Sequence, residues 1–365
     1  MQFWLTASGF LTALVLLTGM GTKSPLHQVP AMHEARAGHT ATRLPDGRVL
    51  VTGGCIVDGC DGGVTASTEL YDSVQNTFRD WPSLEVARVG HQAVQLENGE
   101  VLILGGWAGK AVTAVVERYA PQTETFAVMG EMLEARDGFT TTRLQDGRVL
   151  IAGGYSGSMD RLESAELFDP ETDRFTALSS MHEARMSHSA SLLADGRVLI
   201  VGGSRASGTV STTAELFDPS TGQFSLIGPL TMPRHKHAAV VLQSGNVLII
   251  GGAGAGDWDE QYNTTELFDA ASQTFRPAAS MSSQRFKLPD AVALLPSGAV
   301  LVAGGGVQAE LYHAETDTFS PVMKEIGFDL AYSTVTALGD SRMLIAGGYD
   351  EGIRVMDNAW LYAVN

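Results

Sequence analysis

Short apolar runs that end in paired glycines recur along the chain. Residues 48–52 and 197–201 are two such runs, and each is followed at once by Gly-Gly. An apolar run ends in such a pair seven times, at Gly53-Gly54, Gly105-Gly106, Gly153-Gly154, Gly202-Gly203, Gly251-Gly252, Gly304-Gly305 and Gly347-Gly348. A repeat period of about 50 residues is typical of arrays and propellers, in which each repeat is one small unit of secondary structure.

A turn dipeptide precedes each of the first six runs. These dipeptides are Asp46-Gly47, Asn98-Gly99, Asp146-Gly147, Asp195-Gly196, Ser244-Gly245 and Ser297-Gly298. Asp-Gly or Asn-Gly between two apolar runs predicts a hairpin with a two-residue turn, because such turns need positive φ. Each unit is therefore predicted to open with a β-hairpin.

Three further residue types recur in register with the glycines. An arginine precedes the first strand at Arg36, Arg88, Arg136, Arg185, Arg234 and Arg285. A glutamate begins the third strand at Glu69, Glu117, Glu166, Glu215, Glu266 and Glu310. A phenylalanine lies in the fourth strand at Phe78, Phe126, Phe175, Phe224, Phe275 and Phe319. These markers predict four strands in each unit.

The distances between these markers are nearly constant. Glu to Phe is nine residues in all six units, and Arg to the second Gly is 18 in the first five units and 20 in the sixth. Only the segment from the second Gly to the Glu varies widely, from 15 residues in the first unit to five in the sixth. One loop per unit, here called the variable loop, therefore absorbs most of the length variation.

This four-stranded unit, with its Gly-Gly pair and its late aromatic residue, resembles the kelch repeat over about residues 26–363. The resemblance implies an all-β fold, a seven-bladed β-propeller. The seventh unit lacks a fourth strand, and residues 24–29 have the right spacing to supply it as the outer strand. We therefore expect a single propeller domain over residues 22–365 that is closed by its N-terminal strand.

Composition agrees with a folded protein and narrows its partners. The chain is 44% hydrophobic, and 24 basic against 41 acidic residues give a net charge of -17. Such a charge argues against nucleic acid, since phosphate binding depends on Lys and Arg. We expect a monomer with no nucleic-acid partner.

The first 21 residues predict a signal peptide. Residues 1–22 contain no charged side chain, and residues 10–17 form an apolar core that is short for a membrane span of about 20 residues. An uncleaved anchor and a cytosolic chain with an apolar start are the alternatives. We expect an extracytoplasmic protein, periplasmic or secreted, whose mature chain has no stable membrane span.

The only two cysteines, Cys55 and Cys60, lie in the first variable loop. In an exported protein they favour a disulfide that makes this loop rigid. Two free thiols or a metal-binding pair are the alternatives.

The repeated arginines and glutamates are interpreted as structural pairs within each blade. In the seventh unit Asp329 stands ten residues after Phe319, where an arginine is expected, and Trp360 replaces the glutamate. Loss of both partners together is reasonable, because one unpaired buried charge costs about 3–5 kcal/mol.

Four histidines follow the arginines by three residues, at His39, His91, His188 and His237. Metal ligands must converge on one ion at about 2 Å, whereas equivalent positions in separate blades are spread around a ring. We therefore interpret them as structural and expect neither a metal site nor a cofactor.

The variable-loop face is the candidate binding surface, because loops on a rigid scaffold commonly carry function. The residue after each Gly-Gly is expected near the mouth of the central channel, and these positions include Trp107, Tyr155, Ser204 and Tyr349. Asp257, Trp258 and Tyr262 add an acidic aromatic cluster in the fifth variable loop. Aromatic groups beside polar ones suit a sugar or a protein partner.

Two functions remain open at this point. The first is a binding or scaffold module that recognises a protein or a glycan. The second is a carbohydrate-active enzyme, similar to the sialic acid mutarotases or the galactose oxidases, which also carry kelch propellers. Ionisable side chains such as Asp257, Arg205 or Asp160 converging in a pocket favour catalysis, whereas a shallow aromatic surface favours binding.

Overall fold

The computed structural model describes residues 25–60, 62–158, 161–206, 208–327 and 329–363. Over these ranges the chain forms seven antiparallel sheets of four strands each. The innermost strands of neighbouring sheets contact one another around a closed ring. The seven-bladed β-propeller predicted from the repeat is confirmed.

Six blades are built from four consecutive strands. The first three contain β2 (Thr40–Arg43), β3 (Val49–Thr52), β4 (Thr68–Asp72), β5 (Thr77–Trp81), β6 (Gln92–Gln95), β7 (Val101–Leu104), β8 (Val115–Ala120), β9 (Thr125–Glu131), β10 (Thr140–Arg143), β11 (Val149–Ala152), β12 (Ala165–Asp169) and β13 (Arg174–Ala177). The next three contain β14 (Ser189–Leu192), β15 (Val198–Val201), β16 (Ala214–Asp218), β17 (Gln223–Ile227), β18 (Ala238–Val241), β19 (Val247–Ile250), β20 (Thr265–Asp269), β21 (Thr274–Ala278), β22 (Val292–Leu294), β23 (Val300–Val302), β24 (Gln308–His313) and β25 (Thr318–Glu325). Short 3₁₀ turns lie at Asp58–Cys60 and Asp257–Asp259.

The seventh blade joins the two ends of the chain. It contains β26 (Thr334–Ala337), β27 (Arg342–Ala346), β28 (Ala359–Ala363) and β1 (Leu26–Val29). Strand β1 pairs with β28 as the outermost strand, so the predicted closure is confirmed. The first variable loop strengthens the same seam, because the Gly59 N–H donates to the Ile353 carbonyl at 3.0 Å.

The second strand of each blade is almost entirely apolar because it is covered on both faces. All four residues of β3, β7, β11, β15 and β19 are buried. Their side chains pack into clusters shared by neighbouring blades; Leu50 and Leu70 of the first blade, for example, meet Ile103 and Tyr119 of the second. Burial on both faces explains why these strands appear as continuous apolar runs rather than alternating ones.

The hairpin turns differ in detail from the prediction. The Leu44 N–H donates to the Arg48 carbonyl at 2.8 Å, so three residues, not two, separate the paired positions. Gly47 follows a tight turn and has φ of 90°. This geometry is a type I turn followed by a left-handed residue, for which glycine is favoured.

The predicted arginine–glutamate pairs are confirmed in six blades. In the second blade, Arg88 Nη2 lies 2.8 Å from Glu117 Oε1, and Arg88 Nη1 donates to the Gly105 carbonyl at 2.8 Å. Glu117 also accepts the Glu85 N–H at 2.7 Å. The pair therefore ties the Gly-Gly turn, the third strand and the incoming chain together.

The assignment of Asp329 to the arginine position of the seventh unit was wrong. The N–H of each second glycine donates to the carbonyl of the next arginine, and in the sixth blade the Gly305 N–H donates to Leu330 instead. Leu330 and Trp360 are both buried in one apolar cluster. An apolar pair therefore replaces the ion pair, and the distance from Leu330 to Gly348 is 18 residues, as in the first five units.

The structural role predicted for the histidines is confirmed. Each Nε2 atom forms a hydrogen bond to a hydroxyl group of the preceding blade: His39 to Thr334 at 3.1 Å, His91 to Thr40 at 3.0 Å, His188 to Thr140 at 3.0 Å and His237 to Ser189 at 2.8 Å. Burial lowers the pKa of His39 and of His188 to about 3. These rings are neutral links between blades.

Candidate functional site

A cavity of about 500 Å³ lies at the mouth of the central channel. Cys60 and Ile353, from two of the variable loops, line it, so the cavity opens on the variable-loop face. A volume of this size is in the usual range for small-molecule sites.

Seven equivalent backbone positions surround the cavity, one from each blade, and we call them the channel-mouth ring. They are Gly38, Gly90, Gly138, Ser187, Lys236, Lys287 and Tyr332. All seven have left-handed backbone conformations, with φ between 52° and 66°. Six of the seven carbonyls accept an N–H from the ring residue of the next blade, as when the Lys236 N–H donates to Ser187 at 2.9 Å.

The ring is chemically unequal around its circumference. Blades one to three supply glycine, and blades four to seven supply Ser187, Lys236, Lys287 and Tyr332. A residue with a Cβ in this conformation costs about 1 kcal/mol or more. The glycines show that the fold needs no side chain here, so the four larger residues are strained without an evident benefit to the backbone.

The sixth blade departs from the pattern at Lys287. Here Leu288, rather than the ring residue, donates to the Lys236 carbonyl at 3.2 Å. The Ala303 N–H donates to Ala291, six residues after Arg285, whereas the equivalent acceptor in the first five blades lies four residues after the arginine. The two extra residues, Pro289 and Asp290, line the cavity.

Lys236 is held by a carboxylate of the fifth variable loop. Its Nζ lies 2.8 Å from Asp257 Oδ2, and His235 Nε2 lies 3.4 Å from Asp257 Oδ1. Burial acts to raise the pKa of Asp257, but the nearby His235 ring and the hydrogen bonds from Lys236 outweigh it and lower that pKa. Asp257 is therefore an ionised partner of Lys236.

Lys287 lies among aromatic rings. Its Nζ is 4.0 Å from the centroid of Trp258 and 4.9 Å from that of Tyr349, and it donates to the Tyr349 hydroxyl. Trp258 also packs edge-on against Phe286 at 4.7 Å. Burial and the nearby Lys236 lower the pKa of Lys287 to about 8, although Asp257 and Asp329 act to raise it.

Two carboxyl groups line the same cavity. Burial raises the pKa of Asp137 to about 6, and hydrogen bonding and Arg161 offset only part of this effect. Asp290 is open to the cavity, yet the channel wall around it desolvates its carboxylate and raises its pKa to about 6. The cavity thus combines two amines with two carboxyls that are protonated more readily than usual.

Of the residues predicted for the binding face, Tyr349 lines the cavity directly. Trp258 is 40% exposed and contacts the cavity residue Lys287. Asp257 contacts a different cavity residue, Lys236. The other predicted residues lie outside the cavity: Trp107 and Tyr155 are half-buried, and Ser204 and Tyr262 are buried.

The expectation that the residues after each Gly-Gly line the channel mouth was wrong for most units. Those residues form bridges to the position just after the arginine, as in Val89 with Trp107 and Asp137 with Tyr155. Tyr349 makes the same bridge, to Ala331, and lines the cavity; the other bridged residues lie outward of the channel-mouth ring.

Of the remaining described candidates, Cys60 lines the cavity and Arg205 does not. Arg205 is bound to Glu183, with Nη2 to Oε1 at 2.7 Å, and Asp160 lies outside the described residues. Cys55 and Cys60 are joined by a disulfide with a Cα separation of 5.4 Å. Among the described side chains, no group of three His, Cys, Asp or Glu could hold a metal ion.

Sequence reasoning missed Ser187, Lys236, Lys287, Asp137 and Asp290. The signal was available, because the position two residues after the arginine is Gly, Gly, Gly, Ser, Lys and Lys through the first six units. The histidines one residue later are the more obvious repeat feature, so the change from glycine to serine and lysine was overlooked.

A family model for the KLHDC2/KLHL20/DRC7 Kelch-repeats domain matches residues 90–306, more than half of the chain. The chain belongs to the kelch-repeat family. No curated protein sequence matches this kelch propeller. In the part of the chain that the structure describes, no helix has the length and apolar character needed to cross a membrane.

A solved structure shares the fold of this kelch propeller. It is described as a novel fungal alcohol oxidase with catalytic diversity among the AA5 family, in complex with copper, and it matches with a TM-score of 0.73 at 15% identity. The match covers 93% of this chain and 75% of the other. At this identity the likeness concerns the fold alone.

The residues of this propeller do not fit a copper centre. The Nε2 atoms of His91 and His237 are hydrogen-bonded to hydroxyl groups of the neighbouring blades. The two cysteines are bonded to each other. We therefore derive no copper chemistry for this chain.

Proposed function

We propose that this protein is an exported kelch-repeat binding protein that captures a protein or a glycan through its variable-loop face, with the channel-mouth cavity at the centre of the contact. One observation carries the proposal: side chains at Ser187, Lys236, Lys287 and Tyr332 occupy strained positions where three sibling blades use glycine. Backbone strain of this kind persists mainly at functional sites. Because these side chains surround a cavity, we expect them to contact a ligand bound there.

Two double variants test the proposal. Lys236→Gly with Lys287→Gly, the double-glycine variant, changes the cavity, and Trp107→Ala with Tyr155→Ala changes the surface behind it. Each is compared with the unaltered protein for capture on a glycan array and in a pull-down. We expect the double-glycine variant to lose at least tenfold in capture and the second variant to lose less. Loss confined to the second variant would overturn the central role of the cavity.

The cellular location belongs to the same proposal. A disulfide such as Cys55–Cys60 persists in oxidising compartments and is rare in the cytosol. Fractionation of the host cells, followed by N-terminal sequencing of the mature chain, tests export. Recovery of the protein in the cytosol with an intact N-terminus would contradict it. Sedimentation of the purified protein tests the proposed monomer.

A carbohydrate-active enzyme is the second candidate function. Four ionisable side chains, Asp137, Asp290, Lys236 and Lys287, line one cavity, and such convergence favours acid–base chemistry. Proton NMR of anomer interconversion in sugar solutions tests it. Under this candidate the protein speeds the exchange and Asp290→Asn loses that effect, while the loop variant Asp259→Asn keeps it. No acceleration by the unaltered protein would reject the candidate.

A further inference from the structure

Lys287 is a buried amine at the edge of a cavity, and it differs from its neighbour Lys236. The Lys287 residue is only 7% exposed. Lys236 has a carboxylate partner, Asp257, at 2.8 Å. Within the described residues, no carboxylate lies within ion-pair distance, 4.0 Å, of Lys287 Nζ, which donates to the Tyr349 hydroxyl instead. The hydrogen-bond partner of Lys287 is thus a phenol, where a buried lysine usually has a carboxylate.

The aromatic rings desolvate this amine. The ring centroids of Trp258 and Phe286 lie 4.0 and 4.7 Å from Nζ, and that of Tyr332 lies 5.6 Å away. Cation–π attraction recovers part of the lost hydration, yet the pKa still falls to about 8. At pH 7 about a tenth of the amine is then neutral. A lysine in an apolar pocket beside another cation is a known way to activate an amine as a nucleophile.

The geometry points to Lys287 as a carbonyl-reactive amine: we propose that it condenses reversibly with the aldehyde or ketone group of a small molecule in the channel-mouth cavity. Open-chain sugars belong to this class of ligand. The inference goes beyond the proposed function, because capture of a partner requires no covalent bond. The cavity volume of about 500 Å³ admits a small carbonyl compound.

The condensation balances without an oxidant or a reductant. The lone pair of Lys287 Nζ attacks the carbonyl carbon, and the carbonyl oxygen takes the proton of the Tyr349 hydroxyl. The nitrogen, now cationic, returns one of its protons to the Tyr349 oxygen, which leaves a neutral carbinolamine and a restored phenol. Loss of the hydroxyl and of one N–H proton as water then leaves a carbon–nitrogen double bond. Amine and carbonyl are consumed, and imine and water are formed.

Tyr349 is placed to supply the proton. Its hydroxyl is hydrogen-bonded to Lys287 Nζ. Burial, together with Tyr332, Asp257 and Asp329, raises the pKa of Tyr349, so the phenol keeps its proton until negative charge develops on the carbonyl oxygen. A protonated phenol beside the amine can protonate the carbonyl oxygen as the new bond forms.

Reductive trapping with glycolaldehyde tests the inference on the full chain. Sodium cyanoborohydride at pH 7.5 converts the imine to a stable secondary amine, and mass spectrometry of peptides measures the extent at each lysine. Lys110, an exposed lysine, is the internal reference. We expect Lys287 to be modified at least ten times faster than Lys110. Equal rates at the two residues would overturn the inference.

Two variants separate the covalent step from simple binding. Lys287→Arg keeps a cation but cannot form an imine, so it is expected to lose trapping at this position. Tyr349→Phe is expected to slow trapping at Lys287 several-fold and to leave Lys110 unchanged. An unchanged rate in Tyr349→Phe would contradict the role given to the phenol. Suppose that the double-glycine variant loses capture but that the unaltered protein shows no trapping at Lys287. That result would support the proposed function and reject this inference.

Discussion

The two halves of the channel-mouth ring share one backbone and differ in chemistry. Gly38, Gly90 and Gly138 have φ of 61°, 66° and 60°, and Ser187 and Lys236 have 53° and 52°. The glycine half follows the conformational preference of the chain. The half with side chains goes against that preference and supplies every ring side chain that lines the cavity. The comparison within one molecule therefore separates what the fold needs from what the site needs.

The largest expected effect comes from adding a side chain to the glycine half. A Cβ at Gly90 would lie 2.1 Å from Asp137 Oδ1, on a backbone with φ of 66°. We expect Gly90→Ala to lower the free energy of unfolding by about 2 kcal/mol, from backbone strain and displacement of Asp137. Ser187→Ala is the matched control and is expected to change it by less than about 0.5 kcal/mol. Similar urea midpoints for the two variants would contradict the division of the ring.

A smaller effect is expected in the pH dependence of stability. The folded-state pKa of Asp137 is raised to about 6 from 3.8, so between these values the folded protein binds the extra proton. Stability from this group is therefore greatest at the acid end and falls as pH rises from about 4 to 6. Asp137→Asn is expected to remove part of this fall in urea titrations at several pH values.

Asp290, whose pKa is raised to about 6 by the channel wall, acts in the same direction and remains in the Asp137→Asn variant. Four buried histidines, with pKa values below 6.5, act oppositely because the unfolded chain binds their protons. The comparison is therefore between the variant and the unaltered protein at each pH. An identical profile for the two would show that Asp137 is not desolvated.

The smallest effect is expected from relieving strain in the other half. Ser187→Gly gives this position the residue that its siblings use, and we expect a gain of up to about 1 kcal/mol in unfolding free energy. Gly138→Ser is the reciprocal change, at φ of 60°, and is expected to lose a similar amount. Opposite signs in thermal denaturation support the account, and a loss in both variants would count against it.

The sequence predicted the fold in detail because its repeat is strict. The distances from Arg36 to Gly54 and from Glu69 to Phe78 recur in the next blades, and the six ion pairs and the closing strand followed from this regular repeat. The seventh unit was misassigned by one residue, because Leu330 and Trp360 replace the arginine and the glutamate of the repeat with an apolar pair. A conserved spacing is visible in a sequence, whereas a replacement by packing is not.

The site was harder to predict, because it depends on which residue of each bridged pair lies toward the central channel. Trp107 and Tyr155 attract attention as aromatic loop residues, yet their bridges to Val89 and Asp137 set them behind the ring. Asp290 enters the cavity through a two-residue insertion whose place only the hydrogen bonds reveal. The glycine-to-lysine change at Lys287 was readable, since left-handed φ is costly for any residue but glycine.

The stability of the double-glycine variant, Lys236→Gly with Lys287→Gly, tests most directly whether the larger ring residues serve a ligand rather than the fold. The measurement is its free energy of unfolding in urea beside that of the unaltered protein. The account predicts a value equal to or higher than that of the unaltered protein, because strain and a buried ammonium are removed together. A loss of about 2 kcal/mol or more would mean that these lysines stabilise the propeller itself.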